Sequence, residues 1–143
     1  MKKIHSFEID HFDHDKGFYL STVQGDAYTY DLRFKTPNGG DYVSPKASHT
    51  IEHLLATTYR NSDLKDNVLY FGPMGCRTGF YLVLRNVDKK DALSLTVECI
   101  KKAIELDTIP GNSPKECGNY LEHDLKSAKE ELIAYLEILS KII

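Results

Sequence analysis

Residues 44–56 read Ser44-Pro45-Lys46-Ala47-Ser48-His49-Thr50-Ile51-Glu52-His53-Leu54-Leu55-Ala56. Serine is a favoured N-cap and proline suits the first helical position, so a helix begins at Pro45. It should run to about Arg60, where Asn61-Ser62-Asp63 ends it. Two histidines four apart lie one turn apart on one face of that helix. Glu52, three residues after His49 and one before His53, projects its carboxylate close to the same face. The order His-x-x-Glu-His joins two imidazole ligands to a carboxylate able to move a proton beside a bound metal. Histidines at this spacing also occur on solvated helix faces, and a metal needs a third ligand from elsewhere in the chain.

Outward from this helix, residues 5–9 and 26–34 read as strands, the second mixing aromatic with alternating polar residues. Thr36-Pro37-Asn38-Gly39-Gly40-Asp41 is a loop by its turn residues. A strand around 67–71 leads into Gly72-Pro73-Met74-Gly75-Cys76-Arg77-Thr78-Gly79, and Phe80–Leu84 forms another. Asp88 is the N-cap of a helix to about Leu106. Ala92, Leu95, Cys99, Ala103 and Leu106 make one apolar stripe on it, and Leu93, Val97, Ile100 and Ile104 a second, so it should be buried on two flanks. Thr108–Glu116 is a turn-rich linker. Asn119-x-x-Glu122 resembles a capping box and opens the last helix, with Leu121, Leu125, Ala128, Leu132, Tyr135 and Leu139 facing the core. The expectation is one α+β domain over residues 1–143, an antiparallel-type sheet packed against helices.

Composition narrows the function. The chain has 143 residues, 41% hydrophobic and 27% charged, with a net charge of −3. A chain of this size buries about two-thirds of its unfolded surface. No basic block that could track phosphates is present, so nucleic acid is not expected as a partner. No apolar run reaches the roughly 18 residues of a membrane span, and no signal-peptide core follows Met1-Lys2-Lys3, so the protein is expected in the cytoplasm. Three cysteines in a reducing compartment are read for reactivity or ligation. Cys99 belongs to a helix stripe and reads as packing. Cys76 lies among glycines, with Arg77 beside it to favour the thiolate, and reads as a candidate catalytic group. Cys117, taken to lie at the N-terminus of the last helix, is a candidate third ligand to His49 and His53. Three protein ligands leave an open coordination position, as a catalytic metal requires.

These segments resemble the S-ribosylhomocysteine lyase (LuxS) family. The resemblance is carried by Ser6-Phe7-Glu8-Ile9-Asp10-His11, by Tyr30-Asp31-Leu32-Arg33-Phe34 with Pro37-Asn38, and by His49–Ala56. It continues through Pro73–Tyr81, Glu116-Cys117-Gly118, His123-Asp124-Leu125 and Ala128-Lys129. What it implies is a small homodimeric α+β protein with active sites at the subunit interface. Such an enzyme cleaves S-ribosylhomocysteine to homocysteine and 4,5-dihydroxypentane-2,3-dione, the precursor of a quorum-sensing signal. The resemblance further implies one divalent metal per chain on His49, His53 and Cys117, ferrous iron being expected and zinc or cobalt possible replacements. Cys76 and Glu52 match the family's acid/base pair, and Ser6, His11 and Arg33 match positions that help hold substrate. The chain departs from the family pattern at Tyr70 and Gly72, where aspartate and serine are usual, and at Ser21, where an arginine is. Two other readings compete. One is a metallopeptidase of the inverted-zincin type, suggested by the same His-x-x-Glu-His; the other is a catalytically silent metal-binding member of the family.

Overall fold

The computed structural model describes residues 1–8 and 14–143. The chain runs from a single helical turn, α1 (His5–Glu8), into strands β1 (Gly17–Gln24) and β2 (Ala27–Arg33). Helix α2 (Pro45–Arg60) follows, then β3 (Val68–Pro73) and β4 (Gly79–Arg85), and finally α3 (Lys89–Ile104) and α4 (Leu125–Ser140). The four strands form one antiparallel sheet in the order β1-β2-β4-β3. The result is a single α+β domain, as the pattern of elements required.

Helix α2 starts as its sequence dictates. Ser44 is extended, its hydroxyl accepts from the Ala47 amide at 3.2 Å, and Pro45 occupies the first turn. Asp88 caps α3 in the same way, accepting from the Asp91 amide at 2.9 Å. The inner sheet face carries Phe18, Tyr30, Leu32, Phe71, Phe80, Leu82 and Leu84. Against it pack Ile51, Leu54, Leu55 and Tyr59 of α2, Leu95, Cys99 and Ile100 of α3, and Leu132, Tyr135 and Leu139 of α4. Cys99 is fully buried, and that burial pushes its thiol up to about 11, so it is packing material.

Three expectations are corrected. Residues 5–9 form no strand where described: His5–Glu8 is a helical turn, with the Phe7 amide on the Ile4 carbonyl at 3.0 Å. A short apolar alternation becomes a strand only with a neighbour to pair with, and this segment has none among the described residues. Strand β1 adds to the expected strands: Phe18-Tyr19-Leu20-Ser21-Thr22-Val23 precedes the two-residue turn Gly25-Asp26, with Gly25 at φ 60°. A glycine of positive φ joining two β-rich runs is a hairpin signal. The last helix starts at Leu125, capped by Asp124, and not at the Asn119–Glu122 box. Asn119 and Glu122 close a separate turn instead, with the Glu122 amide on the Asn119 carbonyl at 3.1 Å.

The departures at Tyr70 and Gly72 are coupled. Both lie on β3, and a Cβ at 72 would collide with the Tyr70 hydroxyl. The tyrosine therefore occupies the space that a serine side chain would need. Tyr70 is 52% exposed and free to swing outward, so Gly72→Ser is expected to shift stability by no more than about 0.5 kcal/mol, read from thermal unfolding.

Candidate metal centre and active site

His49 and His53 emerge from α2 towards the irregular segment between α3 and α4. There His53 Nδ1 lies 2.8 Å from the Pro110 carbonyl and His49 Nδ1 lies 2.7 Å from the Glu122 carbonyl. A carbonyl only accepts, so both Nδ1 atoms carry a proton, which leaves Nε2 as the atom each ring can offer to a metal. Cys117 Sγ sits 3.4 Å from His49 Nε2. Two ligands on a tetrahedral ion with bonds of about 2.0–2.3 Å lie roughly 3.5 Å apart, so this pair has the right spacing.

A fourth group joins them. The ligand atoms of His49, His53, Cys117 and His123 all lie within 4.8 Å of one another. The His123 ring stacks on His49 with centroids 4.0 Å apart, and its Nδ1 is 2.9 Å from Thr50 Oγ1. The Thr50 hydroxyl donates to the Lys46 carbonyl at 3.0 Å and accepts from the Asp124 amide at 2.9 Å. Its remaining lone pair accepts from His123, which fixes the Nδ1–H tautomer here too. His123 Nε2 is then a buried lone pair without a hydrogen-bond partner among the described residues. Burial, with the neighbouring His49 and His53, holds His123 below the usual histidine range and so neutral at pH 7. Three imidazoles oriented through Nδ1, converging on a cysteine, fit a thiophilic divalent ion such as zinc or ferrous iron.

His123 belonged to the family resemblance but received no role from the sequence. No spacing rule reaches it, because its position depends on Thr50, which lies 73 residues away in the chain. Cys117 does not lie at a helix N-terminus, contrary to expectation. It lies in a turn begun at Ser113, with its amide on the Ser113 carbonyl at 3.0 Å, and not at the start of α4. Its place beside His49 owes nothing to a helix dipole.

Cys76 is exposed near the tip of the β3–β4 hairpin. The loop is closed by the Met74 amide on the Gly79 carbonyl at 2.9 Å and by the Arg77 amide on the Met74 carbonyl at 3.0 Å. The Arg77 guanidinium turns to the Val43 carbonyl at 3.3 Å and to the Tyr42 ring. The buried cation on the Cys76 side is Arg33, 1% exposed, whose Nη1 donates to Thr78 Oγ1 at 2.8 Å. Thr78 Oγ1 is in turn 3.0 Å from Cys76 Sγ. Glu52 lines the depression beside His49 and makes no hydrogen bond or ion pair among the described residues.

Two cavities meet over the hairpin. One, of about 270 Å³, is lined by His49, Glu52, Arg77 and Glu122; the other, of about 500 Å³, by Phe7, Arg33, Cys76 and Tyr81. Pro73, Met74 and Gly75 form the wall common to both. Ser6 lies in α1 by its backbone, while its side chain and all of His11 lie outside the described residues. Among the described residues no helix is long and apolar enough to cross a membrane.

Comparison with known proteins agrees with this geometry. Residues 4–142 match the family model described as S-ribosylhomocysteinase (LuxS). The chain is 45% identical to the S-ribosylhomocysteine lyase of Borreliella afzelii, over 99% of this chain and 95% of that protein. It is 46% identical to the S-ribosylhomocysteine lyase of Desulfotalea psychrophila, over 99% and 94%, and to that of Clostridium beijerinckii, over 90% and 86%. The peptidase reading of His-x-x-Glu-His is not favoured: the groups that join the two histidines are a thiol and a third imidazole, and the relatives carry a lyase name. By the span of the family match and the identity to its members, the chain belongs to the S-ribosylhomocysteinase (LuxS) family.

Proposed function

We propose that this protein is a lyase that cleaves the thioether of S-ribosylhomocysteine to homocysteine and 4,5-dihydroxypentane-2,3-dione. The observation that carries this reading is the meeting of two kinds of group on one wall, Pro73-Met74-Gly75. His49 of the metal-competent cluster and Glu52 lie on one side and the exposed Cys76 on the other. A single divalent ion is the cofactor; His49, His53 and Cys117 would hold it, with ferrous iron the expected occupant and His123, whose ligand atom lies within 4.8 Å of theirs, supporting them. When bound it supplies Lewis-acid polarisation of the sugar carbonyl.

A thioether leaves readily only when a carbonyl two carbons away acidifies the intervening proton. The opened sugar has its aldehyde at C1 and sulfur at C5, so the carbonyl must first reach C3. Cys76 is the group that carries protons between adjacent carbons: C2 to C1 in the first enolisation, then C3 to C2 in the second. Glu52, without a hydrogen-bond or ion-pair partner among the described residues, moves the oxygen-bound protons and removes the C4 proton as the C5–S bond breaks. Arg33, Ser6 and His11 are assigned to the substrate side. Arg33 is 1% exposed and bound to Asp31, so within this subunit it acts through the cavity wall.

A homodimer accompanies this reading. Phe7, Leu20, Val23 and Tyr70 leave apolar surface exposed around the sheet, which a second copy would cover. A monomer by light scattering would overturn it. The absence of a disulfide among three free cysteines suits a cytoplasmic setting.

The test is anaerobic incubation of ferrous-loaded protein with S-ribosylhomocysteine, following free thiol. Release is expected. Its absence, from protein holding one metal per chain, would establish a silent metal-binding member of the family. His123→Ala is expected to weaken metal retention by about 10–100-fold, measured by competition with a coloured chelator.

A further inference from the structure

We propose that Thr78 is a positioning residue for Cys76, its hydroxyl donating to the cysteine sulfur and holding it as a thiolate directed into the cavity. The inference rests on the reading of Cys76 as the proton carrier.

The hydrogen count at Thr78 leaves one arrangement. Arg33 has donors only, so its Nη1, 2.8 Å away, occupies a lone pair of Thr78 Oγ1. The hydroxyl proton must then point elsewhere, and Thr78 is only 2% exposed, so water is not its partner. The Cys76 sulfur at 3.0 Å is the acceptor that remains. That distance is short for a bond to an atom as large as sulfur, and hydrogen bonds shorten when the acceptor is ionised.

The rest of the network favours a bond over a bare charge. Arg33 Nη2 and Nε donate to the two Asp31 carboxylate oxygens at 2.6 and 3.1 Å, and His14 Nε2 lies 3.0 Å from Asp31 Oδ2. Asp31 is 1% exposed, so the Arg33 charge is largely neutralised where it sits. What reaches Cys76 is therefore a polarised hydroxyl. Among the described residues the other groups that line the two cavities at Cys76 include Arg77 on its own loop, turned towards Val43, Asn38 and Tyr42 beside it, and Tyr81 and Phe7 on the other side. Backbone bonds from the Phe34 and Lys35 amides to the Thr78 carbonyl, at 2.8 and 2.9 Å, keep the threonine in place.

A hydrogen bond to the charged form lowers a thiol's pKa, so its loss must raise it. The experiment measures iodoacetamide alkylation of Cys76 against pH in metal-loaded protein, with the modified peptide located by mass. Thr78→Val is expected to move the midpoint up by about one unit and to slow alkylation about tenfold below it. Thr78→Ser, which restores the hydroxyl, should stay within about twofold of the parent rate. If valine does not fold, Thr78→Ala leaves room for water to meet Arg33 and should shift the midpoint in the same direction. An unchanged midpoint in a folded hydroxyl-free variant overturns the proposal. Because alkylation needs no turnover, a shifted midpoint in a protein without lyase activity would fault the proposed reaction and leave the Thr78–Cys76 pair standing.

Discussion

Cys76→Ala is expected to lower thiol release from S-ribosylhomocysteine by about 10³-fold while metal content stays at one per chain. Removal of a positioned acid/base group costs about 10²–10⁴-fold. Cys76 is asked to serve in two successive enolisations, so the loss should fall in the upper part of that range. The residue is exposed, and its bond to Thr78 is the one side-chain bond it makes among the described residues. Its removal should therefore change stability by little more than about 0.5 kcal/mol. A fall in kcat with a nearly constant KM, in a variant that melts with the parent, is the expected pattern. Turnover within tenfold of the parent would move the carbon-proton role to another group.

The second large effect concerns stability. Gly79 opens β4 opposite Arg33 of β2, and a Cβ there would collide with the Leu32 carbonyl and come within 3.2 Å of the Arg33 Cα. Both obstacles are backbone, so relief requires β4 and β2 to part. Overpacking typically costs about 1–3 kcal/mol, and separation of two paired strands places Gly79→Ala at about 3 kcal/mol. For a domain of this size that is a fall of roughly 10 °C in Tm. The Gly79 carbonyl also accepts from Met74 to close the Cys76 loop. Activity should drop even below the melting transition, as calorimetry and thiol release on one sample would reveal.

The two effects separate what the sequence states from what only the fold supplies. Helix α2 was readable from end to end, because serine, proline and the terminal Asn61 are local signals that tertiary structure had no reason to override. The His49/His53 pair came with it. Helix α3 was equally clear from Asp88 and its stripes. The start of α4 was not, because two capping signals compete there. The Glu122 carbonyl is taken by His49 and the Asp124 amide by Thr50, so the chain is held out of helix until Leu125. Arg33 read as an ordinary ion pair or a substrate contact; its contact with Thr78 joins β2 to the far end of a hairpin loop. Arg77, adjacent to Cys76 in sequence, points away from it. Adjacency in sequence gave the wrong cation, since Arg77 itself sits at φ 60° and its side chain turns from the loop to Val43.

Residues 105–124, between α3 and α4, form neither helix nor strand, a longer irregular connection than compact domains usually carry. Its tethers to the body are the site's own atoms: Pro110 on His53, Cys117 and Glu122 on His49, and His123 and Asp124 on Thr50. An ion at the centre would add bonds to Cys117 beside these hydrogen bonds, so its binding energy would contribute to ordering the strap. Cells that run short of the ion would hold a protein whose helices and sheet persist while one flank loosens. The loosened flank carries Cys117, so metal starvation and thiol oxidation would strike the same residue.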